Sequence, residues 1–395
     1  MTPQHLIRLR NWVAREGDPV AVDGYSSTMS RVRVQRPGRA ISLNITVIVA
    51  TVLLFTTLLG PTVSASAAKT SAGSWVDQNV SFTSDNMTIY ATFRHPTNEA
   101  EVVPGVLLIA GSGPTDRNGN SSIEPGPTDT LKTLADWLSE DGVASLRYDK
   151  LGSGKTGLGP YALDPDAIGI SVFEQESHSA FEFLAREKDV NVHELGVFGH
   201  SEGALFALLL ATRHAGATPP IHALGLFEPL SQRYLDLITD QVDANLATQV
   251  KSGSLTKSLE KTVEKDLTAA VTQIRTKGTV KANLPYGLAN ILNPADALFF
   301  AQTDKFDPEV LASDVATTTP VLLTCSNDDI QVTCDEVDRV ASGFSSDSHL
   351  DFVHLHGVDH VLKVDSSRTS DYYTKKLPFS SQLKAALKTF VKKDL

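Results

Sequence analysis

Cysteine is nearly missing from the chain: 395 residues hold only Cys325 and Cys334. Two thiols cannot build a disulfide framework or a four-thiolate zinc site, so neither device holds the fold together. In an exported chain the pair is expected to be bridged, closing one short loop. Positive charge is also scarce. Lys and Arg number 35 against 46 Asp and Glu, a net charge of -11. That balance gives no electrostatic footprint for nucleic acid and disfavours an anionic membrane surface. No internal repeat is visible, which argues against a stacked solenoid. Beyond the first 70 residues no apolar run is long enough to span a bilayer, so a multi-span protein is excluded. What is present, 41% apolar or aromatic residues, suffices for a large buried core.

The first 67 residues differ from the rest. Arg31, Arg33, Arg36 and Arg39 precede an apolar stretch from Val47 to Leu59, followed by small residues at Ala65, Ser66 and Ala67. This order reads as a secretory signal peptide with Met29 as the expected start and cleavage after Ala67. The expected product is secreted or cell-envelope associated, with no membrane span after cleavage. The alternative is an N-terminal anchor, since the run from Ala40 to Ala68 is uncharged and long enough to cross a bilayer.

From residue 68 to 229 apolar strands alternate with helical patterns. "MTIYATF" suggests an antiparallel strand at a sheet edge, and "VVPGVLLIAG" a buried strand ending in a glycine loop. "TLKTLADWLSEDG", "SVFEQESHSAFEFLAR" and "EGALFALLLATRHAG" read as helices, with "VASLRYD", "ELGVFG" and "IHALGLFEP" as strands beside them. Fully apolar strands in such alternation predict an α/β protein whose mostly parallel central sheet is covered by helices on both faces. Its active crevice is expected beyond the carboxyl ends of the strands. The alternation stops between residues 230 and 318. There Leu255, Leu259, Val263, Leu267, Val271 and Ile274 recur at helical spacing, which predicts an inserted helical cap. "NLPYGLANILNPADALFF" would line a pocket roof or form ordinary cap core. Residues 319 to 395 resume the sheet with "TTPVLLTCS" and "LDFVHLHG" and close on a helix, "SSQLKAALKTFVKK".

Chemistry concentrates at the ends of these strands. In "VFGHSEGALFALL" a serine, Ser201, sits between Gly199 and Gly203 where a strand gives way to a helix. A bland reading makes it a helix N-cap between turn glycines. The sharper reading makes it a nucleophile on a strained turn, with both glycines there because a side chain would crowd the turn. Such a nucleophile needs a base, and the base needs an orienting acid. "LHGVDHVLK" offers His360, and "CSNDDIQVTC" offers Asp329 with Asp328 as rival; the order serine, acid, histidine suits this arrangement. His200 adjoins the serine but should point elsewhere. Developing negative charge would be held by the backbone N–H groups of Glu202, at the helix start, and of Ser112, in the glycine loop "GSGPTD". That loop lacks the spacing of a dinucleotide fingerprint, and "GSGKTG" lacks the leading glycine of a phosphate loop.

Together these segments resemble the alpha/beta hydrolases, specifically secreted bacterial esterases near the serine aminopeptidase-like hydrolases. The residues that carry the likeness are "AGSGPTDRNG", "RYDKLGSGKT", "GHSEGA", "DIQV" from Asp329 and "DHVLK" from Asp359. The resemblance implies Ser201 as nucleophile, Asp329 as acid and His360 as base. It implies Arg147, Tyr148, Asp149 and Lys150 as a structural turn beside the site. Two positions depart from the pattern: Ala110 stands where histidine is usual, and Leu151 where arginine is usual. The expected activity is hydrolysis of small to medium carboxylic esters through an acyl-enzyme, with no metal or cofactor. Amide or thioester cleavage and acyl transfer are alternatives on the same residues, and a catalytically idle binding module is the non-enzymatic one.

Overall fold

A hairpin comes first among the described residues. In the computed structural model, which describes residues 74–98, 101–213, 219–369, 373 and 375–395, β1 (Trp75–Ser84) pairs antiparallel with β2 (Met87–Pro96). The leader read from residues 1–67 lies outside the described residues. β2 alternates, so Ile89, Ala91 and Phe93 turn inward to full burial while Thr88 and Tyr90 face out. It joins the hairpin to the strands that follow: β3 (Val103–Ile109), β4 (Ala144–Tyr148), β5 (Val190–His200), β6 (Ala223–Phe227), β7 (Val321–Ser326) and β8 (Leu350–Leu355).

The eight strands form one sheet in the order β1-β2-β4-β3-β5-β6-β7-β8, antiparallel at β1-β2-β4 and parallel from β4 onward. The apolar runs of β3, β6 and β7, and of β5 from Leu195 to Phe198, fit burial on both faces. Leu107, Ile109, Val197 and Leu226 pack on one face, under α2 (Ile170–Ala185) and α3 (Glu202–Arg213). Val106, Leu108, Phe198 and Leu322 pack on the other, under α1 (Thr130–Glu140) and the last helix, which begins at Ser381. β3 lies between β4 and β5, so the chain reverses its direction of travel across the sheet at this strand. The loops leaving β3 and β5 therefore diverge at a topological switch point, the usual crevice of an open parallel sheet.

Four helices are inserted between β6 and β7: α4 (Tyr234–Ser252), α5 (Lys257–Lys277), α6 (Pro294–Thr303) and α7 (Pro308–Ser313). α5 starts at Thr256, whose hydroxyl accepts from the Leu259 N–H, and stops at Gly278 in a left-handed conformation. Its periodic residues Val263, Leu267, Val271 and Ile274 are buried. Asp304 knits the insertion together, accepting from both Arg233 and Arg275. α8 (Cys334–Gly343) and α9 (Ser381–Asp394) complete the chain. Among the described residues no helix is long and apolar enough to cross a membrane.

Cys325, at the end of β7, is bonded to Cys334, at the start of α8. The bridge spans a sequence separation of 9 residues and encloses the turn that carries Asp328 and Asp329. Chain entropy alone assigns such a loop about 3 kcal/mol. The double variant Cys325→Ala/Cys334→Ala should therefore melt roughly 4–5 °C lower than the parent. An unchanged calorimetric midpoint would show that the bridge adds nothing to stability.

Candidate active site

Ser201 links β5 to α3 with φ at +56°, a left-handed conformation that costs a non-glycine residue and that the surroundings must enforce. Three backbone hydrogen bonds enforce it. The Ser201 N–H donates to Phe227 O at 3.0 Å, and its carbonyl accepts from Ala204 and Leu230 at 3.0 and 3.1 Å. The flanking glycines are required by contact. A Cβ on Gly199 would stand 2.1 Å from the Gly203 carbonyl oxygen, and one on Gly203 would stand 2.2 Å from that of Ile109.

The loops after β7 and β8 bring the other two groups. His360 lies 3.0 Å from the Ser201 Oγ through Nε2 and 2.6 Å from an Asp329 carboxylate oxygen through Nδ1. A carboxylate only accepts, so Nδ1–H donates to Asp329 and Nε2 is left to accept from the Ser201 hydroxyl. The second oxygen of Asp329 accepts from the N–H groups of Gln331 at 2.6 Å and Val332 at 3.2 Å. Asp328 turns away and accepts from the Gly357 N–H at 3.0 Å. His354 and His356, the other histidines of this region, are exposed. The Cys325 and Cys334 sulfurs and a His354 ring nitrogen lie within 4.8 Å of one another, but the two sulfurs are bonded to each other.

His200 points away from the serine hydroxyl, and its Nε2–H donates to the His360 carbonyl at 2.7 Å. Burial, with His360 beside it, holds its pKa down to about 3, so the ring is neutral at ordinary pH. It fixes the backbone of the residue whose side chain faces Ser201. Asp359, next in chain, accepts from the Val361 and Lys363 N–H groups, and burial raises its pKa to about 6.

Glu228 escapes sequence reasoning. It follows the apolar strand β6 at φ +43°, fully buried, with one oxygen accepting from the Ser326 N–H and the other unpartnered. Burial and then the nearby Asp329 carboxylate push its pKa well above the usual range. Its signal in the sequence is a lone acid at the end of "ALGLFE", indistinguishable there from an ordinary turn residue.

Ser112 and Glu202 line the same cleft as Ser201 and His360. Leu230, Leu237 and Ile238, with Val332 and Val361, give it apolar walls. Gly111 keeps the first loop close, since a Cβ there would lie 3.2 Å from that of Ser201. The segment around "NLPYGLANILNPADALFF" divides: Leu288, Ile291 and Leu292 are insertion core, while Phe299 and Phe300 line a second pocket with Phe173.

The turn after β4 is a charged scaffold. Arg147 donates to Asp77 at 2.8 Å, and Asp149 accepts from the Arg117 guanidinium and from the Arg117 and Lys155 N–H groups. Burial opposes ionisation of Asp149, but the Arg117 bonds outweigh it and lower its pKa. Tyr148 is buried against Phe82. Leu151 donates its N–H to Glu176 at 3.0 Å, and burial drives the Glu176 pKa up to about 8 in spite of Lys150 nearby.

No protein-family description and no curated protein sequence matches the chain. Solved structures do. The alpha/beta hydrolase GrgF from Penicillium sp. sh18 aligns over 81% of this chain and 99% of its own, with a TM-score of 0.50 at 14% identity. Est1E from Butyrivibrio proteoclasticus, solved with ferulic acid bound, aligns over 80% of this chain and 98% of its own at 15% identity, with a TM-score of 0.49. The Pyrococcus furiosus esterase PF2001 aligns over 81% and 91% at 14% identity, also at 0.49. Likeness at such identities is likeness of fold, and with the sheet order and the helices on both faces it identifies the architecture: the chain has the alpha/beta-hydrolase fold.

Proposed function

We propose that the chain is a serine hydrolase that cleaves small to medium carboxylic esters through an acyl-enzyme. The observation that carries this reading is the hydrogen-bonded line from the Ser201 Oγ through His360 to Asp329, at 3.0 and 2.6 Å, with Ser201 held on a strained elbow. The Ser201 oxygen attacks the ester carbonyl while His360 Nε2 takes its proton. Asp329 keeps the imidazole in the tautomer that can accept, and stabilises the imidazolium that forms. The carbonyl oxygen becomes an anion facing the N–H groups of Ser112 and Glu202. As the C–O bond to the alcohol breaks, His360 returns the proton to the leaving oxygen. A water molecule then repeats the sequence on the acyl-enzyme and frees the carboxylic acid.

The inserted helices, in the role of a cap over residues 230–318, support the size limit, because α4 supplies much of the apolar wall. A bridged cysteine pair suits an oxidising compartment, in keeping with export.

A fluorophosphonate probe should label the wild-type protein and fail to label Ser201→Ala. The purified protein should hydrolyse p-nitrophenyl esters in preference to aminoacyl anilides. Labelling that persists in Ser201→Ala would overturn the nucleophile, and a strong preference for the anilides would overturn the esterase reading.

A further inference from the structure

The turn after β4 ends in a lysine that is buried. Lys150 is 2% exposed, and its Nζ donates to the Gly111 carbonyl at 2.6 Å and to one Glu202 carboxylate oxygen at 2.8 Å. The other Glu202 oxygen accepts from the Tyr234 hydroxyl, on α4, at 2.6 Å. Glu202 and Tyr234 are themselves buried, and the Phe173 ring lies 5.6 Å from the ammonium. A buried ion pair is a poor source of stability, because desolvation cancels most of the attraction. Its placement is informative for another reason.

The Gly111 carbonyl and the Ser112 N–H belong to one planar trans peptide, so they point in opposite directions. An ammonium fixed on that oxygen fixes the direction of that N–H. The same ammonium grips the side chain of Glu202, the residue whose N–H is the second donor at the start of α3. Lys150 thus bonds the Gly111 carbonyl, which shares a peptide with the Ser112 N–H, and the carboxylate of Glu202. Ala110, next to Gly111, has only a methyl group and cannot brace the loop.

We infer that Lys150 is the positioning residue of the oxyanion site, holding the Ser112 peptide and Glu202 in register so that both N–H groups face the carbonyl oxygen under attack. The inference rests on the acyl-enzyme reading above. Tyr234 completes the device by holding the far oxygen of Glu202, which links the inserted helices to the donor pair.

The test compares Lys150→Met, Glu202→Gln and wild type on p-nitrophenyl butyrate, with active sites counted by fluorophosphonate titration. Lys150→Met should lower kcat per active site roughly 10- to 100-fold with KM changed less than about threefold, since loss of one oxyanion donor typically costs 10²–10³. Affinity for a trifluoromethyl ketone, whose adduct with Ser201 carries the same oxyanion, should fall by a similar factor. Glu202→Gln, which keeps an acceptor for Lys150 but removes the charge, should give a smaller loss of the same kind and serves as the readout if Lys150→Met does not fold. A purely structural lysine would lower the melting midpoint while leaving kcat per titrated site and inhibitor affinity at wild-type values; that result overturns the inference. Retained labelling in Ser201→Ala would instead overturn the underlying hydrolase reading, so the two failures are separable.

Discussion

His360→Ala should lower kcat on a p-nitrophenyl ester by about 10⁶, and Asp329→Asn by about 10⁴, with both variants folded. On the proposed acyl-enzyme mechanism the larger loss follows because His360 is the base for the Ser201 Oγ, to which its Nε2 is bonded at 3.0 Å. The alanine variant keeps the main-chain carbonyl that accepts from His200, so the loop retains its anchor. The smaller loss is a matter of tautomers. One side of the Asp329 carboxylate meets two backbone donors, Gln331 and Val332, and an asparagine would turn its oxygen to them. Its amide NH₂ would then face His360 Nδ1, which must become an acceptor. The imidazole proton moves to Nε2, and Nε2 can no longer receive the serine proton. Glu228 is no substitute, since its bonded oxygen faces the Ser326 N–H. Asp328→Asn is the control. Its carboxylate serves the Gly357 N–H, so the change should cost about 1 kcal/mol of stability and less than threefold in kcat. Steady-state kinetics on the three variants check the ladder. Asp329→Asn within tenfold of wild type would exclude the tautomer role.

Much of this arrangement was legible in the sequence. Runs such as "VVPGVLLIAG" and "VLLTCS" carry the mark of strands buried on both faces, and the glycines around Ser201 mark a crowded turn whatever the serine does. Adjacent acids are hard to separate by spacing alone, because Asp328 and Asp329 differ only in which way a turn faces them; the fold aims Asp329, the acid the resemblance implied, at His360 and Asp328 at Gly357. Long-range polar pairs are equally hidden. Lys150 and Glu202 are 52 residues apart and meet only because β4 and β5 flank β3. The lysine ending "RYDK" reads as part of a structural turn beside the site, and nothing local says that it is buried against Glu202. Glu228 is hidden for the same reason, its neighbours coming from β7 and the loop after it.

Gly199→Ala should leave little or no soluble, labelled protein. The new Cβ would lie 2.1 Å from the Gly203 oxygen, 2.2 Å from its carbonyl carbon and 2.4 Å from the Ala204 nitrogen. Real Cβ contacts do not come closer than 3.0 Å, and all three atoms are backbone, so no rotamer change relieves the clash. β5 and α3 would have to separate. Yet α3 is pinned from its other side, where the Gly203 Cα approaches the Ile109 carbonyl so closely that an added Cβ would lie 2.2 Å from that oxygen. A forced shift of packed backbone belongs with the exceptional substitutions that cost more than about 4 kcal/mol. Gly142→Ala isolates the packing contribution. Its φ of +85° penalises any side chain, but nothing lies within 4 Å of the new methyl. Left-handed strain alone should cost about 1–2 kcal/mol and leave labelling at Ser201 intact. Melting midpoints and fluorophosphonate labelling of the two variants separate crowding from backbone strain. A Gly199→Ala protein that melts with the parent and still labels would mean that the elbow has room for a side chain and that its glycine is incidental.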